Sequence, residues 1–116
     1  IYTVGMASGI KGQLKPAAGS PDYSSTPLFT ASATTTFIVS ACNQASAVDT
    51  VRIAVVPGSV GNTTGTISVD YFLEFDYSLG GNSAIERTGV TVEAQSRVFV
   101  GSAGGNVSFS AYGIES

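Results

Sequence analysis

Residues 28–56, LFTASATTTFIVSACNQASAVDTVRIAVV, hold two apolar runs dense in Thr and Val, separated by a polar turn. β-Branched residues fill strands because their stiff side chains fit a pleated surface. Similar runs recur from Thr26 onward at intervals of roughly 10 to 15 residues, the spacing of short strands. No window shows a 3.6-residue period. Strands are expected at 27–31, 34–42, 48–56, 66–77, 85–94, 96–101 and 106–114. Turn residues fill the gaps: Asn43 to Ser46, Pro57 to Asn62, Gly80-Gly81-Asn82 and Ala103 to Asn106. Seven short strands with Gly-rich turns predict an all-β chain, an antiparallel β-sandwich of Ig-like or jelly-roll-like type. Residues 26–116 would form it as one domain. Residues 1–25 hold both lysines and no sustained period, and read as an extended N-terminal arm whose start, IYTV, could form a short edge strand.

Alternation within the runs shows which side chains should reach the core, because successive residues of a strand point to opposite faces. In ISVDYFLEFDY, residues 67–77, Ile67, Val69, Tyr71, Leu73, Phe75 and Tyr77 fall on one face. Ser68, Asp70, Glu74 and Asp76 fall on the other, with Phe72 as the exception among them. Val98 and Val100 oppose Phe99. Val107, Phe109 and Ala111 share a face that Tyr112 and Ile114 break. Phe37, Val39 and Ala41 alternate against Ile38 and Cys42. Off-pattern apolar residues signal either a bulge or arm covering the second face, or a patch buried against another subunit. On the second reading Phe72, Phe99, Tyr112 and Ile38 are the candidate subunit interface, and Phe72→Asp is expected to abolish assembly. The apolar residues of the arm, Ile1, Tyr2, Val4, Met6, Ile10 and Leu14, are its candidate contacts with a neighbour.

Catalytic chemistry finds little support. The chain has no histidine, the usual general base near neutral pH and the commonest metal ligand. That excludes Ser-His-Asp and Cys-His machinery. Cys42 follows an apolar run with no visible activating group, so a buried, inert thiol is expected. Glu74 and Asp76, two residues apart on a strand, would stand about 7 Å from each other, a separation compatible with an inverting glycosidase. With no Trp and no second acidic motif, they read instead as a solvent face with Arg52 or Arg87 as cross-strand partners. No calcium loop, phosphate loop or dinucleotide fingerprint is present. No catalytic residue, metal site or cofactor is expected, and the chain is expected not to be an enzyme.

Composition limits the partners. Net charge is −3 and five basic residues are scattered, which gives no footprint for nucleic acid. No apolar run approaches the roughly 18 residues of a membrane span, and no basic start precedes an apolar stretch, so neither a span nor a signal peptide is expected. A single cysteine implies no oxidising compartment. The sequons at Asn62 and Asn106 read as chance matches in a chain rich in Ser and Thr. Charged residues are 11% of the chain against roughly 25% in an ordinary domain. A weakly charged surface does little to keep copies apart, which favours life inside an assembly.

Residues 28–116 resemble a small β-domain recurrent in virion structural proteins of tailed phages, cyanophages among them. The resemblance is carried by Leu28-Phe29-Thr30-Ala31, Thr34 to Ile38, the Cys42-Asn43-Gln44 turn, Thr50 to Val55, and Val107-Ser108-Phe109 through Gly113-Ile114-Glu115. The chain departs from that pattern by lacking a Pro-Ala-Gly turn after the first strand and by its long arm. The resemblance implies a virion structural role in tail, neck, baseplate or fibre attachment, or as a capsid decoration or cement protein. It implies a symmetric homo-oligomer whose partners are other virion proteins, and it supplies no catalytic residue. Two alternatives compete. A carbohydrate-binding module of a phage receptor-binding apparatus would stack a cell-surface glycan on Tyr23, Tyr77 or Tyr112. A bacterial surface-assembly subunit, as in a pilus or surface layer, would carry a secretion signal.

Overall fold

A computed structural model describes residues 8–16, 18, 27–59 and 69–115. Among these residues eight strands form two four-stranded antiparallel sheets packed as a sandwich. They are β1 (Ser8–Leu14), β2 (Phe29–Thr30), β3 (Thr35–Asn43), β4 (Asp49–Val56), β5 (Phe72–Leu79), β6 (Ala84–Val92), β7 (Arg97–Ser102) and β8 (Val107–Glu115). One sheet runs β1-β8-β3-β6 and the other β2-β7-β4-β5. The first strand therefore pairs with the last, the second with the seventh, the third with the sixth and the fourth with the fifth. A long antiparallel ribbon wrapped in this way is a jelly roll. Of the two sandwich types open at the level of sequence, the strand order selects this one.

The alternation expected for most strands places the core. Phe37, Val39 and Ala41 of β3 and Val107, Phe109 and Ala111 of β8 face inward from one sheet. Val51 and Ile53 of β4 and Val98 and Val100 of β7 meet them from the other, all at most 3% exposed. Burying one of these Val, Ile or Phe side chains stabilises the fold by about 1.5–3 kcal/mol before entropy is counted. Phe29 meets Phe37 edge to face, with ring centres 4.9 Å apart. Gly113 lets β8 lie close to β3, since a Cβ there would collide with the Thr36 carbonyl and stand 2.7 Å from the Phe37 Cβ.

Buried polar groups close one end of the sandwich, where the β3–β4 and β7–β8 connections lie. Asp49 is 6% exposed. One of its oxygens accepts the amides of Thr50 and Gly104, each at 2.8 Å, and the other accepts the Asn106 amide at 3.4 Å. The start of β4 is thereby fastened to the β7–β8 turn. Asn43 donates to the carbonyls of Ala47, Leu79 and Gly80 and accepts the Ala45 amide. Among the described residues no buried side-chain polar atom lacks a partner.

Two local expectations need correction. Residues 67–77 do not run as one alternating strand. Val69–Tyr71 make a 3-10 turn and β5 begins at Phe72, while 66–68 lie outside the described residues. The β4–β5 ladder then shifts register between Val51 and Ile53, with Asp76 at φ +57°. This bulge sets Phe75 and Asp76 together opposite Arg52 and turns Phe75 out of the core, where it is 50% exposed. The eighth strand, β1, comes from the segment read as an arm. Its sequence, SGIKGQL, has two glycines and a ladder shift between Ile10 and Gly12, so no clean alternation marks it. It becomes a strand by pairing with β8, about a hundred residues later, Ser8 opposite Ile114.

Candidate interaction surfaces

Ile38 and Tyr112 stand directly opposite each other on β3 and β8, and Ile10 faces Tyr112 from β1 on the other side. The three make one row across the outer face of the β1-β8-β3-β6 sheet. Ile114 lies in the next row, between Ser8 and Thr36. Ile10 is 65% exposed, Ile114 48% and Tyr112 36%, and Ile38 is half-buried. The structure therefore joins two interface candidates, Ile38 and Tyr112, with one arm candidate, Ile10. Sequence alone missed that union, because nothing local announces the β1–β8 pairing. Leu14, further along β1, packs against the chain's own core. Ile1, Tyr2, Val4 and Met6 lie outside the described residues.

Phe72 and Phe99 belong elsewhere. They lie on the outer face of the other sheet, where Ala54, Val56, Tyr71 and Phe72 surround Phe99 in a small second cluster. Phe99 is 3% exposed, covered by its own chain. The expectation that Phe72, Phe99 and Tyr112 form one patch is thus corrected: they occupy opposite sides of the sandwich. Alternation assigns a residue to the outside of its strand. It does not say which sheet the strand joins, and consecutive strands β7 and β8 join different sheets.

Beside that second cluster, Arg52 lies over the Phe75 ring, 3.8 Å from its centre, and Phe75 meets Phe72 edge to face. The guanidinium also grips Asp76 at two points, Nε to Oδ1 at 2.7 Å and a terminal nitrogen to Oδ2 at 3.2 Å. These hydrogen bonds hold the Asp76 carboxyl below the usual carboxylate range. Partial desolvation opposes the shift, and the positive charge of Arg52 adds to it. Glu74 pairs with Arg87 of the other sheet at 3.2 Å. The acidic residues of β5 are therefore held in cross-strand and cross-sheet ion pairs, with the two arginines the sequence offered. They do not converge on a common space.

Cys42 is exposed at the end of β3. This corrects the expectation of a buried thiol: the alternation that buries Ala41 and Asn43 turns Cys42 outward. Among the described residues no three His, Cys, Asp or Glu side chains stand close enough to hold a metal ion. An open depression of about 190 Å³ between the sheet ends is lined by Val55, Pro57, Thr91, Val92, Glu93 and Ser96, and Glu93 is its one ionisable side chain. Tyr77 and Tyr112, both proposed as sugar platforms, are exposed on different sheets, and Tyr23 lies outside the described residues. Comparison with protein-family models, with curated proteins and with solved structures finds no match for this chain.

Proposed function

We propose that the chain is a non-enzymatic structural subunit of a phage virion. It would assemble as a symmetric homo-oligomer and cover or link larger virion proteins, in the tail, neck or baseplate, at a fibre attachment, or as a capsid decoration. The observation that carries this reading is the row Ile10–Tyr112–Ile38 with Ile114 beside it, apolar side chains held outward on a stiff four-stranded sheet. An exposed contiguous apolar patch rimmed by polar residues marks a contact surface. The sequence resemblance supplies the virion context. The jelly-roll strand order is compatible with it, since capsid and lectin domains both use that architecture, but a fold does not assign a function.

The same order keeps the carbohydrate-binding alternative in view, because lectins share it. The two exposed tyrosines among the described residues stand on different sheets, Tyr112 on an outer face and Tyr77 on edge strand β5 opposite the core residue Val51, so they offer no joint stacking platform. The decisive experiment is mass spectrometry and cryo-electron microscopy of purified particles from the phage encoding the chain. The chain is expected at a fixed copy number in symmetric density. Its absence from the particles would refute the virion role, and specific retention on a glycan array would favour the alternative.

A further inference from the structure

We infer that the outer face of the β1-β8-β3-β6 sheet is a two-fold joint with a second copy of this chain. This joint presupposes the assembly role proposed above and assigns it a surface and a partner. Ile10, Tyr112 and Ile38 cross three of the four strands in one line, with Ile114 in the next row. The outward positions around them are small and hydroxylated, among them Ser40, Ser110 and Thr36. Among the described strand residues pointing outward from this sheet, Glu86 alone carries a charge. Lys11, in the β1 bulge beside Ile10, and Glu115, at the end of β8, are bonded to each other at 3.3 Å and largely covered.

Symmetry explains why those properties suit a second copy. In a two-fold contact every residue near the axis meets its own twin. A charge there meets a like charge, whereas an aliphatic side chain buries its partner. A hydroxyl can both donate to its twin and accept from it. The opposite sheet fails this requirement, because Arg52 and Asp76 sit on its outer face and Phe99 is already covered by its own chain.

Area agrees. Four strands spaced about 4.8 Å apart, with the longest about nine residues, give a face of roughly 19 by 30 Å. Two such faces cover about 1,100 Å² in projection, and side-chain relief raises the accessible area above that. A specific interface buries about 1,200–2,000 Å² in total. One face of this sheet is therefore large enough for a dimer and too small to waste much of its extent.

Sedimentation velocity of the full chain over a concentration series tests the joint. The chain is expected to form a dimer that dissociates on dilution. Ile10→Glu and Tyr112→Glu should each weaken the dimer at least tenfold while circular dichroism and thermal melting show a folded chain. Phe75→Ser, on the other sheet, should leave dimerisation unchanged. Where Tyr112→Glu does not fold, Ile10→Glu on the exposed edge strand decides alone. The inference is overturned by a monomer at the highest attainable concentration, by a dimer indifferent to Ile10→Glu, or by one that only Phe75→Ser disrupts. A monomer that is nonetheless present in particles removes this joint and leaves the virion role standing. Absence from particles removes the role whatever the dimer result.

Discussion

Asn43 and Leu79 tie the two sheets together: the Asn43 amide nitrogen, on β3, donates at 3.0 Å to the Leu79 carbonyl at the end of β5. The same nitrogen lies 2.9 Å from the Ala47 carbonyl and 3.2 Å from that of Gly80. Two hydrogens thus serve three acceptors, one of them shared. Asn43 is 1% exposed, and its bond to the Leu79 carbonyl is buried. Asn43→Ala is expected to destabilise the fold by about 2–3 kcal/mol, the desolvation cost of carbonyls left without donors. Asn43→Asp should cost more, because a carboxylate would face those carbonyls. Urea unfolding of the three proteins checks the order.

Arg52 gives the fold a weak acid sensitivity. Its hydrogen bonds lower the Asp76 pKa in the folded chain. A carboxyl depressed on folding contributes stability above its unfolded pKa of about 3.9, and that contribution is lost as pH falls through the lower folded value. The pair is exposed, so salt should weaken the effect. Carboxyl-detected NMR titration should show Asp76 titrating below the ordinary aspartate range. In Arg52→Gln it should return to the ordinary range, and the stability difference between the two proteins should shrink at the acid end.

Strand phase was legible wherever a strand is regular. Phe37, Val39 and Ala41 on β3 and Val107, Phe109 and Ala111 on β8 occupy the faces that alternation gave them. It failed at β5, where Asp76 at positive φ resets the period, and at β1, which depends on pairing with β8. The candidate surface was half legible for the same reason. Tyr112 and Ile38 were marked as outward apolar residues, but sheet membership decided that Ile10 is their neighbour and Phe99 is not. Alternation is a property of one strand, whereas a surface is a property of strand order.

The two phenylalanines that alternation treated alike should now separate. Phe37 is 1% exposed and packs against Phe29, so Phe37→Ala is expected to cost about 3–5 kcal/mol. Phe75 is 50% exposed and stands against Arg52 and Phe72, so Phe75→Ala should cost no more than about 1 kcal/mol. Thermal melts of the two variants measure this directly. Equal losses would mean that Phe75 lies in the core after all.

Cys42 offers the simplest probe of β3. Its thiol faces solvent because the flanking Ala41 and Asn43 face inward, at 0% and 1% exposure. A one-residue slip of β3 would bury Cys42 and expose both neighbours, since the side-chain period of a strand is two. A dilute sample, with no denaturant, is therefore expected to take up one equivalent of a thiol reagent at a rate close to that of the unfolded chain. Intact-mass spectrometry after maleimide labelling reads the result. Labelling that begins only once urea unfolds the chain would mean that β3 sits in the other phase, with Ile38 pointing to the core and away from the Tyr112 row.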